Sequence, residues 1–175
     1  MDTEFEATFV DINKDEIRAK LREVGAVLVK PEFLQKRIVF HPPENLGLGK
    51  TWARVRDEQD KITLSIKSVL GSNIDDQKEL MLTVDSFGNA SDLLELLGCK
   101  KKAYQESKRE LWQLDGCDVT IDEWPFLEPF VEVEGLSEEI VKSASNKLGF
   151  DFSGAFFGSV DTLYSRKYNI PEEKI

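Results

Sequence analysis

Two stretches of the chain, WARVR at 52–56 and KITLSIK at 61–67, alternate apolar and polar side chains. Successive side chains of a β-strand point to opposite faces, so this period of two predicts two extended strands. The polar faces of the two stretches are strongly basic and carry Arg54, Arg56 and Lys67.

The same alternation recurs along the chain and predicts eight strands, separated by turn formers and short helices. The predicted strands are 4–10, 33–40, 52–56, 61–67, 78–84, 104–113, 117–123 and 130–134. Helices are predicted from the cap Asn13 to Gly25, over 91–97, from the cap Ser137 to Gly149, and near 160–164. The segment 41–50, HPPENLGLGK, predicts a loop. We therefore expect an α+β protein with a single domain over residues 1–175.

Each predicted strand has one clean apolar face, and the opposite faces carry charges of both signs. These charged residues are Arg37, Arg54, Arg56, Lys67, Glu79, Arg109, Asp122, Glu132 and Glu134. Alternation cannot distinguish a face in water from a face that lines the inside of a barrel. The pattern alone favours a sheet with its charged face in water, and a barrel with an inward charged face is the alternative.

Composition narrows the class of protein. The chain has 175 residues, 41% of them hydrophobic, and a net charge of −10, which argues against binding to nucleic acid or to an anionic membrane. The sequence contains no long apolar run and no signal peptide, and its cysteines are few, so we expect a cytoplasmic protein. The single histidine, His41, argues against a histidine-rich zinc site.

Two pairs of glutamates stand two residues apart on predicted strands, Glu4 with Glu6 and Glu132 with Glu134. Each pair projects from one face, where the like charges repel unless a cation lies among them. Hard oxygen ligands suit Mg²⁺, Mn²⁺ or Ca²⁺, and arginine guanidinium groups bind phosphate oxygens through a fork of donors. The combination predicts a site for a divalent cation together with a polyphosphate.

These motifs resemble, in their order, those of the CYTH superfamily, the triphosphate tunnel metalloenzymes. Glu4-Phe5-Glu6 resembles the ExExK signature of that family, and Arg54-Val55-Arg56 resembles its RxR strand. Further matches along the chain are Lys67, Glu79, Lys108-Arg109, Asp122 to Pro125, and Phe130 to Gly135. The resemblance extends from about residue 3 to about residue 168, and is strongest to class IV adenylate cyclase-like and thiamine triphosphatase-like members.

The resemblance implies a closed eight-stranded antiparallel β-barrel, the triphosphate tunnel, with its charges inside and its helices packed outside. It implies that Mg²⁺ or Mn²⁺ is held by Glu4, Glu6, Glu79, Glu132 and Glu134. Substrate-binding residues would be Arg54, Arg56, Lys67, Arg109 and Thr8, and catalytic residues Glu4, Glu6, Lys67 and Asp122. The expected partner is a small-molecule triphosphate, with no nucleic acid or membrane, and the expected assembly is a monomer or homodimer.

The chain departs from the family pattern at three positions. Thr8 occupies the place of the signature lysine, so one cation is missing, and Gln77 and Met81 stand where charged residues are common. Arg37 and Lys78 are the cations that could compensate. Three activities stay open at this point: hydrolysis of a triphosphate, cyclisation of ATP to cyclic AMP, and binding of a polyphosphate or nucleotide with little turnover.

Overall fold

The computed structural model describes residues 1–44 and 49–175. The strands are β1 (Asp2–Thr3), β2 (Phe5–Phe9), β3 (Val27–His41), β4 (Thr51–Asp57), β5 (Ile62–Val69), β6 (Gln77–Val84), β7 (Lys100–Leu114), β8 (Cys117–Glu123) and β9 (Phe130–Gly135). The helices are α1 (Lys14–Glu23), α2 (Phe87–Leu96), α3 (Glu138–Lys147) and α4 (Val160–Tyr168). No helix in the described ranges has both the length and the apolarity that a bilayer crossing requires.

The strands form one antiparallel sheet in the order β1-β6-β5-β4-β3-β7-β8-β9-β2. The two ends of this sheet, β1 and β2, are adjacent in sequence and are separated only by Glu4. Asp2 and Thr3 pair with β6, whereas Phe5 to Phe9 pair with β9, so one segment of chain joins both edges. The sheet is therefore a nearly closed barrel, which confirms the predicted fold; it has nine strands where eight were predicted, because Asp2–Thr3 forms a short strand of its own before Glu4.

Helices cover the apolar outside of the barrel in separate clusters. The largest cluster packs α1 and α3 against β2, β8 and β9, with the fully buried Leu21, Val119, Val133 and Val141 at its centre. A second cluster packs α2 against β3 and β4 through Leu94, Phe40 and Val55. Burying apolar area on the outside leaves the polar residue of each alternation to face inward.

The predicted helix caps are confirmed. The side chain of Asn13 accepts hydrogen bonds from the backbone N–H groups of Asp15 and Glu16, at 2.9 and 3.2 Å. Ser137 accepts one from Ile140 at 3.4 Å. These bonds satisfy donors that the first turn of a helix leaves free, so local chemistry alone fixes where α1 and α3 begin.

Strands β3 and β7 are longer than predicted. They pair with each other from Val27 opposite Gln113 to His41 opposite Lys100, with three irregularities in register. This mutual pairing extends β3 back through Pro31 to Val27 and β7 back to Lys100, where alternation is weak. His41, predicted to begin a loop, is therefore the last residue of β3. Positions 45–48 of that predicted loop lie outside the described residues.

Candidate active site

The barrel encloses a cavity of about 990 Å³. This volume is in the range of cavities that hold small molecules. Its wall carries charged side chains of both signs, which are Glu4, Glu6, Arg37, Arg54, Arg56, Lys67, Glu79, Arg109, Glu132 and Glu134. The charged faces of the strands thus point inward, as the family resemblance implies and against the reading that alternation alone favours.

Strand order separates the two signs of charge around the ring. The glutamate pairs lie on β2 and β9, with Glu4 just before β2, and these segments are neighbours at the seam of the barrel. The arginines lie on the adjacent strands β7, β3 and β4; β3 and β4 are opposite this seam, and Arg109 of β7 reaches Glu132 of β9. The cavity therefore has an acidic side and a basic side that face each other.

Three carboxylates on the acidic side lie close together. Glu4, Glu6 and Glu134 each offer an oxygen, and these oxygens all lie within 4.8 Å of one another. Lys67 reaches this cluster from β5, with its Nζ 2.5 Å from Glu4 Oε2 and 3.6 Å from Glu6 Oε1. No other Lys or Arg of the described residues forms an ion pair with these three glutamates.

One lysine does not neutralise three carboxylates, and their pKa values reflect this. Burial, together with neighbouring carboxylates, raises the pKa of Glu6 well above its ordinary value despite the attraction of Lys67. Burial and the charge of Glu4 raise the pKa of Glu134 to about 7. The donors are hard oxygens and only one lysine lies among three carboxylates, so Glu4, Glu6 and Glu134 fit a hard divalent cation.

The basic side is arranged differently, because three of its arginines already have carboxylate partners. Arg54 Nη2 lies 2.9 Å from Glu79 Oε1, and Arg56 Nε lies 2.7 Å from Glu58 Oε1. Burial by itself would raise the pKa of Glu79, but Arg54 and its other partners hold that pKa at about 2. Glu79 is therefore an ionised partner of an arginine and stands apart from the acidic cluster.

Arg109 has the most extensive set of partners. Its Nε and Nη2 atoms donate to the two oxygens of Asp122, at 2.8 and 2.9 Å. Nη2 also donates to Glu132 Oε2 at 2.5 Å. Asp122 is fully buried and accepts a further hydrogen bond from Thr120 at 2.7 Å. The paired geometry fixes the plane of the guanidinium group, so Asp122 positions Arg109 from behind the cavity wall.

The structure places most of the predicted site residues in the cavity wall. Glu79 and Glu132 line it, but each is paired with an arginine and lies outside the cluster of Glu4, Glu6 and Glu134. Asp122 and Thr8 are not among the described residues that line the cavity. Thr8 is buried, and its backbone pairs with β9 and exchanges two 2.9 Å hydrogen bonds with Phe156.

One mouth of the cavity is covered by the C-terminal part of the chain, which the sequence did not connect with the site. Asp161 of α4 lies 2.5 Å from Lys102, and Glu172 lies 2.7 Å from Lys50. All four residues line the cavity. The sequence gives no signal for these contacts, because the ion pairs join elements that are distant in the chain and follow no periodic pattern.

Sequence matching and structural similarity agree with this architecture. The CYTH domain family matches residues 3–158 of the chain. A candidate adenylate cyclase from Vibrio parahaemolyticus superimposes with a TM-score of 0.79 at 12% identity, covering 94% of this chain and 98% of its own. A conserved hypothetical protein from Pyrococcus furiosus gives 0.72 at 20% identity, with coverage of 87% and 94%.

A third similar structure is a candidate adenylyl cyclase from Hippeastrum with a dominant triphosphatase activity, at a TM-score of 0.61 and 14% identity, covering 99% of each chain. No curated protein matches the sequence. At these identities the structural similarities establish the fold, and the family match extends over most of the chain. The chain is therefore a member of the CYTH domain family.

Proposed function

We propose that this protein is a metal-dependent hydrolase that removes the terminal phosphoryl group of a small-molecule triphosphate. Tripolyphosphate, thiamine triphosphate and a nucleoside triphosphate are the candidate substrates. The observation that carries the proposal is the two-sided cavity, in which the cluster of Glu4, Glu6 and Glu134 faces the arginines of β3, β4 and β7. A polyanion that carries a divalent cation has the matching distribution of charge.

The proposed roles follow from the contacts. Arg54, Arg56 and Arg109 would donate hydrogen bonds to phosphate oxygens and stabilise charge that develops on them during phosphoryl transfer. Glu4, Glu6 and Glu134 would hold Mg²⁺ or Mn²⁺, which neutralises phosphate charge and orients the reacting group when bound. Water adds to the terminal phosphorus and the bond to the bridging oxygen breaks, which gives orthophosphate and the shortened diphosphate.

The structural neighbours support two chemistries on a triphosphate. The Hippeastrum protein has a dominant triphosphatase activity, which favours hydrolysis as the first choice. The Vibrio parahaemolyticus candidate adenylate cyclase supports cyclisation of ATP as the second choice. Thr8, in the position of the signature lysine, supports the third reading, a binding protein with little turnover.

Phosphate release from the three substrates, with Mg²⁺ or Mn²⁺ and without metal, tests the proposal. We expect metal-dependent release of orthophosphate from at least one substrate. Formation of cyclic AMP and pyrophosphate from ATP would favour the cyclase. Binding of tripolyphosphate without turnover of any substrate would favour the binding protein, and the absence of both binding and turnover would contradict the proposal.

The metal assignment has a matched pair of variants. Glu134→Gln removes one carboxylate of the acidic cluster and should lower the metal-dependent rate at least about tenfold. Asp118→Asn is the control, because Asp118 lines the same cavity and pairs with Glu134 across β8 and β9 without belonging to the cluster. Equal activity of the two variants would contradict the assignment of Glu134 to the metal.

A further inference from the structure

Arg37 differs from the other three arginines that line the cavity. Arg54, Arg56 and Arg109 each form an ion pair with a carboxylate, whereas Arg37 forms none with any carboxylate in the described part of the chain. Only 5% of Arg37 is exposed. A buried cation without a counter-charge is unfavourable, so its retention in the wall of a cavity calls for an explanation.

We propose that Arg37 is a further phosphate-binding residue, which supplies from β3 the positive charge that Thr8 does not supply from β2. This inference rests on the proposed function, because its ligand is the phosphate chain of the same substrate. It names one more contact on the basic side of the cavity and assigns the compensating cation, for which Arg37 and Lys78 were the two candidates.

The contacts of Arg37 hold its guanidinium group without neutralising it. Its Nη2 donates to Oγ of Ser107 at 2.8 Å and to Oε1 of Gln35, both of which are uncharged acceptors. The guanidinium carbon lies 4.3 Å from the ring centre of Trp124, in a cation–π contact. The group is therefore fixed in direction, and none of these contacts neutralises its charge.

The surroundings of Arg37 add to the unbalanced positive charge. The register of β3 and β4 places it directly opposite Arg56. Burial, together with Arg54, Arg109 and Arg56, lowers the pKa of Arg37 well below its ordinary value. Its Nε is buried and has no hydrogen-bond partner in the described structure. A phosphate oxygen would relieve both the repulsion and the unpaired donor.

Lys78, the other candidate, is placed away from the cavity. Its Nζ donates to Oγ1 of Thr3 at 2.5 Å, and neither residue is among the described residues that line the cavity wall. On β6 the inward positions are those of Glu79 and Met81, so Lys78 points outward. The geometry therefore selects Arg37.

A purely structural role is the competing explanation, because Arg37 also connects β3 to Ser107 of β7 and to Trp124, which follows β8. The two roles predict opposite results for Arg37→Gln. If Arg37 binds phosphate, the affinity for tripolyphosphate measured by calorimetry with Mg²⁺ should fall about 10- to 100-fold. The melting temperature without ligand should then stay unchanged or rise, because an unpaired buried charge is removed. If Arg37 is structural, the melting temperature falls and the affinity of the folded protein is unchanged.

Two further variants sharpen the test. Arg37→Met keeps the aliphatic packing on Trp124 and should lose the same affinity, so the test survives if the glutamine variant does not fold. Lys61→Gln is the control, since Lys61 is half exposed at the cavity and already paired with Glu58, and should change the affinity less than about threefold. The loss in the Arg37 variants should be larger for tripolyphosphate than for orthophosphate, which a structural role would not produce.

Failure of this inference differs from failure of the proposed function. Wild-type protein that binds tripolyphosphate as tightly as both Arg37 variants would overturn the role of Arg37 and leave the function standing. Wild-type protein that does not bind tripolyphosphate, with or without Mg²⁺, would overturn the proposed function and this inference with it. A fall in affinity with unchanged stability, confined to the Arg37 variants, supports both.

Discussion

Glu134 differs from its two neighbours in the acidic cluster by its access to water. Glu4 and Glu6 are buried, whereas Glu134 is exposed to the cavity, and its pKa is raised to about 7. The pKa of Glu6 is raised as well, so at neutral pH the three neighbouring carboxylates of the metal-free cluster share a proton in a large fraction of molecules. A divalent cation that binds to the cluster must displace that proton.

The affinity for Mg²⁺ should consequently rise with pH. Below the raised pKa the proton competes with the metal, and above it the carboxylate is already free. For one displaced proton, the affinity should increase by up to about tenfold between about pH 6 and about pH 8. Calorimetric titration with MgCl₂ at several pH values measures this change.

Asp118→Asn again provides the control for this pH dependence. It removes a carboxylate from the same cavity but not from the cluster, so the increase with pH should persist. Glu134→Gln should bind Mg²⁺ more weakly and with a smaller dependence on pH, because only the raised pKa values of Glu4 and Glu6 are left. A wild-type affinity that is constant over this range would contradict the assignment of the titrating group.

At the scale of elements, sequence predicted the strands well and their environment poorly. Alternation located every strand except the short β1 (Asp2–Thr3), and the Asn13 and Ser137 side chains marked the starts of two helices. The period of two, however, does not indicate which face of a strand points into the barrel. The family resemblance indicated that the charged faces point inward, because in that family these motifs line a common tunnel.

Contacts that depend on strand pairing were beyond local reasoning. Asp122 was predicted as a catalytic group, but the register of β7 and β8 places it directly opposite Arg109 and behind the cavity wall. The missing carboxylate partner of Arg37 is likewise visible only in three dimensions. The charged residues of a site can be identified from the sequence, but their ion pairs depend on how the strands pair.

Helix α4 is a separate case, because its position depends on a small apolar cluster. Leu163 packs there with Trp124, Phe130 and Phe156 and is only 9% exposed. The hydroxyl of Tyr164 also donates to the carbonyl of Pro125, at 2.5 Å. Because the ion pair of Asp161 with Lys102 at the cavity mouth is partly exposed, this apolar cluster should contribute most of the docking energy of α4.

Leu163→Ala should therefore loosen α4. We expect a loss of about 2–3 kcal/mol in the free energy of unfolding, from the lost apolar contacts and the cavity left behind. Amide hydrogen exchange should accelerate in residues 160–168, with the barrel strands still protected. Leu96→Ala, at an 86% exposed position of α2, should change stability by less than about 0.5 kcal/mol. Equal effects of the two substitutions would show that the cluster does not hold α4.

The whole molecule combines a net charge of −10 with a cavity that has an acidic cluster on one side and arginines on the other. Closure of the barrel at Glu4 brings the carboxylates of β2 and β9 across from the arginines of β3, β4 and β7. Each side is under-neutralised without ligand, since one lysine serves the acidic cluster and Arg37 has no carboxylate partner among the described residues. Repulsion within each side lowers the stability of the ligand-free fold.

Metal and polyphosphate should therefore stabilise the fold cooperatively. Tripolyphosphate alone neutralises the basic side but meets repulsion from the carboxylates, and Mg²⁺ removes that repulsion. At ligand concentrations near 100 times Kd, binding adds about 2.7 kcal/mol to the free energy of unfolding, which is a melting shift of roughly 5–10 °C. With both ligands the shift should exceed the sum of the two separate shifts. Glu134→Gln should lose this excess and Asp118→Asn should keep it, because only the former weakens the acidic cluster. Additive shifts in the wild-type protein would mean that the two sides of the cavity bind independently.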